Sequence, residues 1–111
     1  MDITYRWEPG YRRIVLDNGK PPFAFLPERQ DLVNHSPDGF NCGYGGRGPA
    51  QLALALCAHA LGDDARVKRV YQIFKWKVVA NRSPNAPWSI TWEEIMCHVN
   101  EIERHLEDER A

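Results

Sequence analysis

The sequence predicts an α+β fold, a small N-terminal antiparallel sheet followed by three helices. Three observations predict it. Apolar and polar residues alternate with period two near the N-terminus. Turn-forming residues, Asn18-Gly19 among them, punctuate the first half. From Pro49 onward, apolar residues recur at helical spacing. Strands first and helices after argue against alternating βαβ units.

Ile3, Tyr5 and Trp7 alternate with polar neighbours and predict a first strand, ended by Glu8-Pro9-Gly10. Arg12–Leu16 is a second, rich in β-branched residues. Asn18-Gly19 favours a hairpin into Phe23–Leu26, which Pro21-Pro22 marks as an edge strand. Asp31–Asn34 is a further short strand candidate. Ser36-Pro37-Asp38-Gly39 has the composition of a type I turn, and Phe40–Tyr44 reads as a return strand. Helix 49–61 starts at a proline tolerated in a first turn and ends at Gly62. It is apolar on every side except Gln51 and His59, as a buried central helix would be. Asp63 or Asp64 caps the next helix, about 64–82, whose stripe is Val67, Val70, Tyr71, Phe74 and Val78, with Ile73, Trp76 and Ala80 as a narrower one. Ser83–Pro87 breaks it. Thr91 and Glu94 form a capping box for the last helix, about 91–108, where Trp92, Ile95, Val99, Ile102 and Leu106 make one seam.

A chain of 111 residues, 43% of them hydrophobic, is expected to be a single domain over 1–111 with one core. A net charge of -1 gives no general attraction to nucleic acid or anionic membrane. No apolar run approaches the roughly 20 residues that span a bilayer, so no membrane contact is expected. The mixed, charged start MDITYRWEPG does not read as a signal peptide. Cys42, Cys57 and Cys97, an odd set without paired spacing, suggest reduced thiols and a cytoplasmic protein.

The stretch GYGGRGPAQLALALC, Gly43–Cys57, opens with the letters of G-x-G-x-x-G. A dinucleotide site needs a preceding parallel strand and a second strand ending in an acidic residue about 20 positions on. Asp63 and Asp64 stand at that distance but at a helix–helix joint, so the fingerprint lacks its context. Two readings remain. The glycines permit a tight, closely packed passage from sheet to helix. Alternatively Gly45, Gly46, Arg47 and Gly48 present a helix N-terminus and a fixed charge to an anion such as a phosphate.

No catalytic set stands out. His35, Cys42 and Tyr44 are close in sequence, but the pattern reads as a structural turn, with Asn34, Ser36 and Asp38 bonding nearby backbone. His98 and His105 are seven apart, too far for one zinc without help, so neither metal nor cofactor is expected. Glu94–His98 and Glu101–His105 are i,i+4 pairs, and His59 reads as a hydrogen-bonded core histidine. Ala65–Arg82 holds six basic residues and no acidic one, whereas Glu93–Glu109 holds seven acidic residues against Arg104. Mutual neutralisation of two antiparallel helices explains this. A partner surface is the alternative: Lys68, Lys75 and Arg82 line up for nucleic acid, and Glu101 and Glu107 could occupy a basic surface on another protein.

The segments NHSPDGF, GYGGRGPAQLALALC, ALGDD and YQIFKWKVVA resemble a family of small proteins of unknown function from bacteria and mobile elements, phages included. The resemblance covers roughly Tyr11–Ala80 and the start of the last helix. It implies no catalytic residues. Asn41-Cys42 stands where relatives more often carry an acidic or aromatic pair, which argues against a catalytic Cys42. The acidic tail after Glu101 looks peculiar to this member. The expectation is therefore a non-enzymatic protein acting through protein–protein contacts, an inhibitor of a host defence complex in the manner of anti-CRISPR proteins. The alternatives are an anionic-ligand binder or enzyme at the glycine-rich loop and a nucleic-acid binder.

Overall fold

The computed structural model describes residues 1–110. The elements are β1 (Thr4–Glu8), β2 (Arg13–Asp17), β3 (Ala24–Phe25), α1 (Arg47–Leu61), α2 (Asp64–Lys77), a 3₁₀ turn (Val79–Asn81), β4 (Trp88–Thr91) and α3 (Trp92–Arg110). The sheet order is β3-β2-β1-β4, antiparallel throughout. The α+β layout is the one the sequence predicts, with one addition. The fourth strand lies between α2 and α3 and returns to pair with β1, Tyr5 facing Ile90 and Trp7 facing Trp88. Trp88 and Ile90 do alternate with Ser89 and Thr91, but a run of four residues behind a proline is too short for the alternation to mark a strand.

Period two divides the sheet. Tyr5, Trp7, Ile14 and Ile90 are buried on one face and join a single cluster with residues of all three helices. The Tyr5 hydroxyl meets His59 Nδ1 of α1 at 2.7 Å, so His59 is hydrogen-bonded as expected. The other face carries Arg6 with Asp17 at 3.0 Å and Arg13 with Glu8 at 2.6 Å.

α1 is buried continuously from Gly48 to Ala58 and again at Ala60. It begins at Arg47, two residues earlier than the sequence predicts. Pro49 is then its third residue, still within the turn whose N–H groups lack helical partners. Gly62 ends it with φ 63° and its N–H on the Ala58 carbonyl. Asp63 caps α2 by accepting from Arg66 N at 3.2 Å. α2 stops at Lys77 rather than 82. The Asn81 side chain reaches back to the carbonyls of Trp76 and Lys77, at 3.3 and 3.1 Å, and closes the helix there. Arg82 therefore lies beyond it. In α3, Thr91 and Glu94 form the reciprocal capping box, each backbone N–H to the other side chain at 3.1 Å.

Asp31–Asn34 and Phe40–Tyr44 are not strands. The buried Gln51 side chain bonds backbone in and around the first of them, and Gly43 N of the second goes to Val79 O. The Gln51 carbonyl accepts from His35 N and Ser36 N at 2.8 and 3.2 Å, and its amide donates to Glu28 O and Val33 O at 2.6 and 3.1 Å. The turn at Asn34–Asp38 is thus held by α1, not by its own Asn34, Ser36 and Asp38 side chains. Among the described residues no helix is long and apolar enough to cross a membrane.

Candidate functional site

The glycine-rich stretch forms the junction between the irregular segment and α1, and each glycine has a separate reason. Gly43 takes φ 87° and donates its N–H to Val79 O at 3.1 Å. Gly45, Gly46 and Gly48 have no positive φ; close approach is what requires them. A Cβ at Gly45 would run into the Trp76 ring, and one at Gly46 into the Tyr44 ring. At Gly48 it would stand 2.6 Å from Asn41 Cβ and 3.1 Å from Asn41 N. The junction is a seat for two aromatic rings. Both remain open to solvent on their far side, Trp76 60% exposed and Tyr44 48%.

Charge gathers at the same place. Gly46 is the N-cap of α1 and supplies no side-chain cap, and no acidic residue stands in the first turn. Arg47 projects from that turn, exposed. The Lys75 ammonium donates to Gly45 O at 3.3 Å and lies 4.6 Å from the Trp76 ring centroid. Lys75 is only 7% exposed. The Gly45, Gly46, Arg47 and Gly48 group is therefore brought together, joined by Lys75, Trp76 and Tyr44.

The basic row is not. Lys68 is exposed, Lys75 is buried at the junction, and Arg82, outside α2, lies 5.2 Å from the Trp88 ring centroid. The three do not form one accessible line. The basic and acidic helices do neutralise each other, but not side by side. Arg66 holds Glu103 in a two-point bond at 2.9 and 2.7 Å, with Arg69 at 3.8 Å, and Lys77 meets Glu101 at 3.6 Å. Arg66 and Lys77 are eleven residues apart on α2, about 16 Å along the axis, whereas Glu101 and Glu103 are two apart on α3. α3 thus crosses α2 instead of running antiparallel to it. The Arg66 guanidinium holds the Glu103 carboxyl below the usual carboxylate range. Glu101 and Glu107 are both exposed; Glu101 pairs with Lys77, and Glu107 lines a small cavity with Arg69, Glu103 and Leu106.

The remaining sequence candidates are dispersed. His35 Nε2 meets the Tyr71 hydroxyl at 2.6 Å, and the Cys42 thiol donates to Ser83 O at 3.4 Å. Burial pushes that thiol up, against weaker opposing effects of Trp88 and Arg82. Cys42 and Cys57 are buried, and Cys97 is exposed. His98 packs edge-on to Phe74, and His105 is 3.8 Å from Glu109 rather than paired with Glu101. Glu94 serves the capping box. No group of three metal-ligating side chains forms among the described residues. An open groove of about 510 Å³ is lined by Trp7, Tyr11 and Trp88 among others.

The sequence puts Lys75 in the basic row and Trp76 on the narrower stripe of the second helix, but does not show that they meet Tyr44 and the glycines at the junction. For Lys75 the signal was present. It is four residues from Tyr71 and eight from Val67, on the apolar face of α2.

A family model described as a family of unknown function (DUF6166) matches residues 5–101, and the chain belongs to that family. The match extends past both ends of the segment in which the motifs lie. No curated protein and no solved structure matches the chain.

Proposed function

We propose that this member of the DUF6166 family works by binding a protein partner, without catalysing a reaction, and that it binds through the face formed by Trp76, Tyr44, Arg47 and Lys75. The carrying observation is Trp76. A tryptophan 60% exposed gains little from burial, yet the backbone beneath it is kept free of a side chain to seat its ring. Trp, Tyr and Arg are also the residue types that dominate binding energy at interfaces.

Affinity capture with the native chain, a Trp76→Ala/Tyr44→Ala variant and a Phe25→Ala control tests this. Phe25 is another exposed aromatic, on the far side of the sheet from the helices. The junction variant should lose the partner by about tenfold or more in affinity, as removal of a hot-spot residue does, while the control keeps it. A partner retained by the junction variant would sink the proposal. That the target is a host defence complex rests on the resemblance alone. Plaque counts on a defended host, with and without the protein, test it, and equal counts would remove it.

A further inference from the structure

Lys75 is the one charged residue with a buried side chain among the described residues. Among the described residues no carboxylate stands within ion-pair distance of its ammonium. Between Gly39 and Trp92 the acidic residues are Asp63 and Asp64, at the opposite end of α2. Its contacts are one long hydrogen bond to Gly45 O and the Trp76 ring. Two of its three N–H donors have no acceptor among the described residues. Gly45 precedes the N-cap of α1, so the positive end of that helix starts next to it, with Arg47 exposed in its first turn. The Lys75 ammonium and the positive end of α1 thus meet where no carboxylate is supplied among the described residues, and burying an ammonium without a partner charge is costly.

We infer that the face takes an acidic segment of the partner protein, with one carboxylate pairing with Lys75 and Arg47 while the Trp76 and Tyr44 rings cover apolar neighbours of that carboxylate. This rests on the binding function proposed above and names the partner's chemistry. A nucleic-acid strand fits less well. It needs a track of exposed cations along its phosphates, and Lys68, Lys75 and Arg82 do not form one. A single carboxylate asks only for the local charge at the junction.

The test uses the full chain and three labelled probes, followed by fluorescence anisotropy. They are a twelve-residue peptide of alternating Glu and Leu, the same peptide with Lys for Glu, and a twelve-nucleotide single strand of thymidine. The Glu/Leu peptide should bind and the Lys/Leu peptide should not. Lys75→Met should weaken the Glu/Leu complex by about thirtyfold or more, as loss of one member of a desolvated charge pair does. Lys75→Gln, which keeps a donor for the Gly45 carbonyl, should weaken it similarly. Both variants should melt at or above the native temperature, because each removes a buried charge that the free protein leaves unpaired. Three results would overturn the inference: tighter binding of the thymidine strand, Glu/Leu binding unchanged in both Lys75 variants, or no Glu/Leu binding up to about millimolar. If the captured partner is lost by the Trp76/Tyr44 variant and kept by both Lys75 variants, the binding function stands and its acidic partner falls.

Discussion

Gln51 and Lys75 are the two buried polar side chains among the described residues, and the chain treats them in opposite ways. Every hydrogen-bonding position of Gln51 is taken, two backbone N–H groups on its carbonyl and two backbone carbonyls on its amide. Lys75 has one bond, at 3.3 Å, to a carbonyl at the molecular surface. A polar group kept for structure is satisfied from within, because leaving it unsatisfied in the interior costs about 1–3 kcal/mol per group. Gln51 obeys this and Lys75 does not. The difference separates the two ends of the irregular segment Leu26–Gly46: its first half is pinned to α1, and its last residues seat the Trp76 ring and accept from Lys75.

The comparison is most directly broken at Gln51. Gln51→Leu keeps the volume and strands two N–H groups and two carbonyls. The expected loss is about 3–5 kcal/mol in urea unfolding, the range of a dismantled buried network. The amides of His35 and Ser36 should exchange much faster than in the native chain. A loss below about 1 kcal/mol would mean that the segment is held by other contacts.

This contrast also marks what the sequence could show. Period two and the helical spacing gave the strands β1 and β2 and all three helices, because those patterns record which face of an element meets the core. Gln51 stood out as the polar exception in an apolar helix, but its partners could not be read. They are backbone groups 15 to 23 residues away, which carry no side-chain signature. The same cause turned Asp31–Asn34 and Phe40–Tyr44 into expected strands, since side-chain polarity does not reveal which hydrogen bonds a backbone makes. β4 was invisible because its partner, β1, is more than 80 residues away. At the junction, the glycines were legible as a close passage and Arg47 as a charge. The seating of Trp76 was not, because an aromatic at a helical position is assigned to the core by default.

Next in expected size are the glycines of the junction. Gly48→Ala should cost about 2–3 kcal/mol, the range for overpacking against a wall that cannot move, because the added methyl meets the backbone of Asn41. Gly45→Ala should cost less than about 1 kcal/mol, since its methyl meets the far end of the exposed Trp76 ring, which can swing aside. It should nonetheless weaken partner capture by unseating that ring. Equal unfolding costs for the two would show that Trp76 is fixed as firmly as backbone, and undiminished capture by Gly45→Ala would show that its seating does not matter.

The smallest effect sharpens the comparison from the side of satisfied charge. Glu103, 22% exposed, bonds Arg66 at two points, so unlike Lys75 it has its counter-charge within the fold. Its folded pKa is lowered, chiefly by that bond. A carboxyl lowered on folding contributes stability that is fully present above its unfolded value, near 4.3, and is lost as pH falls through the lower folded value. The partly exposed pair is worth about 1 kcal/mol. Glu103→Gln should therefore destabilise by about that amount at neutral pH. The gap from the native chain should be constant above about pH 5 and close as pH falls through the acid range. Glu101→Gln, whose 3.6 Å bridge to Lys77 is more exposed, should change little at any pH. A gap that persists unchanged into the acid range would show that Glu103 acts through packing instead of its charge. The contrast between a charge the fold completes and the Lys75 charge it leaves open would then rest on Lys75 alone.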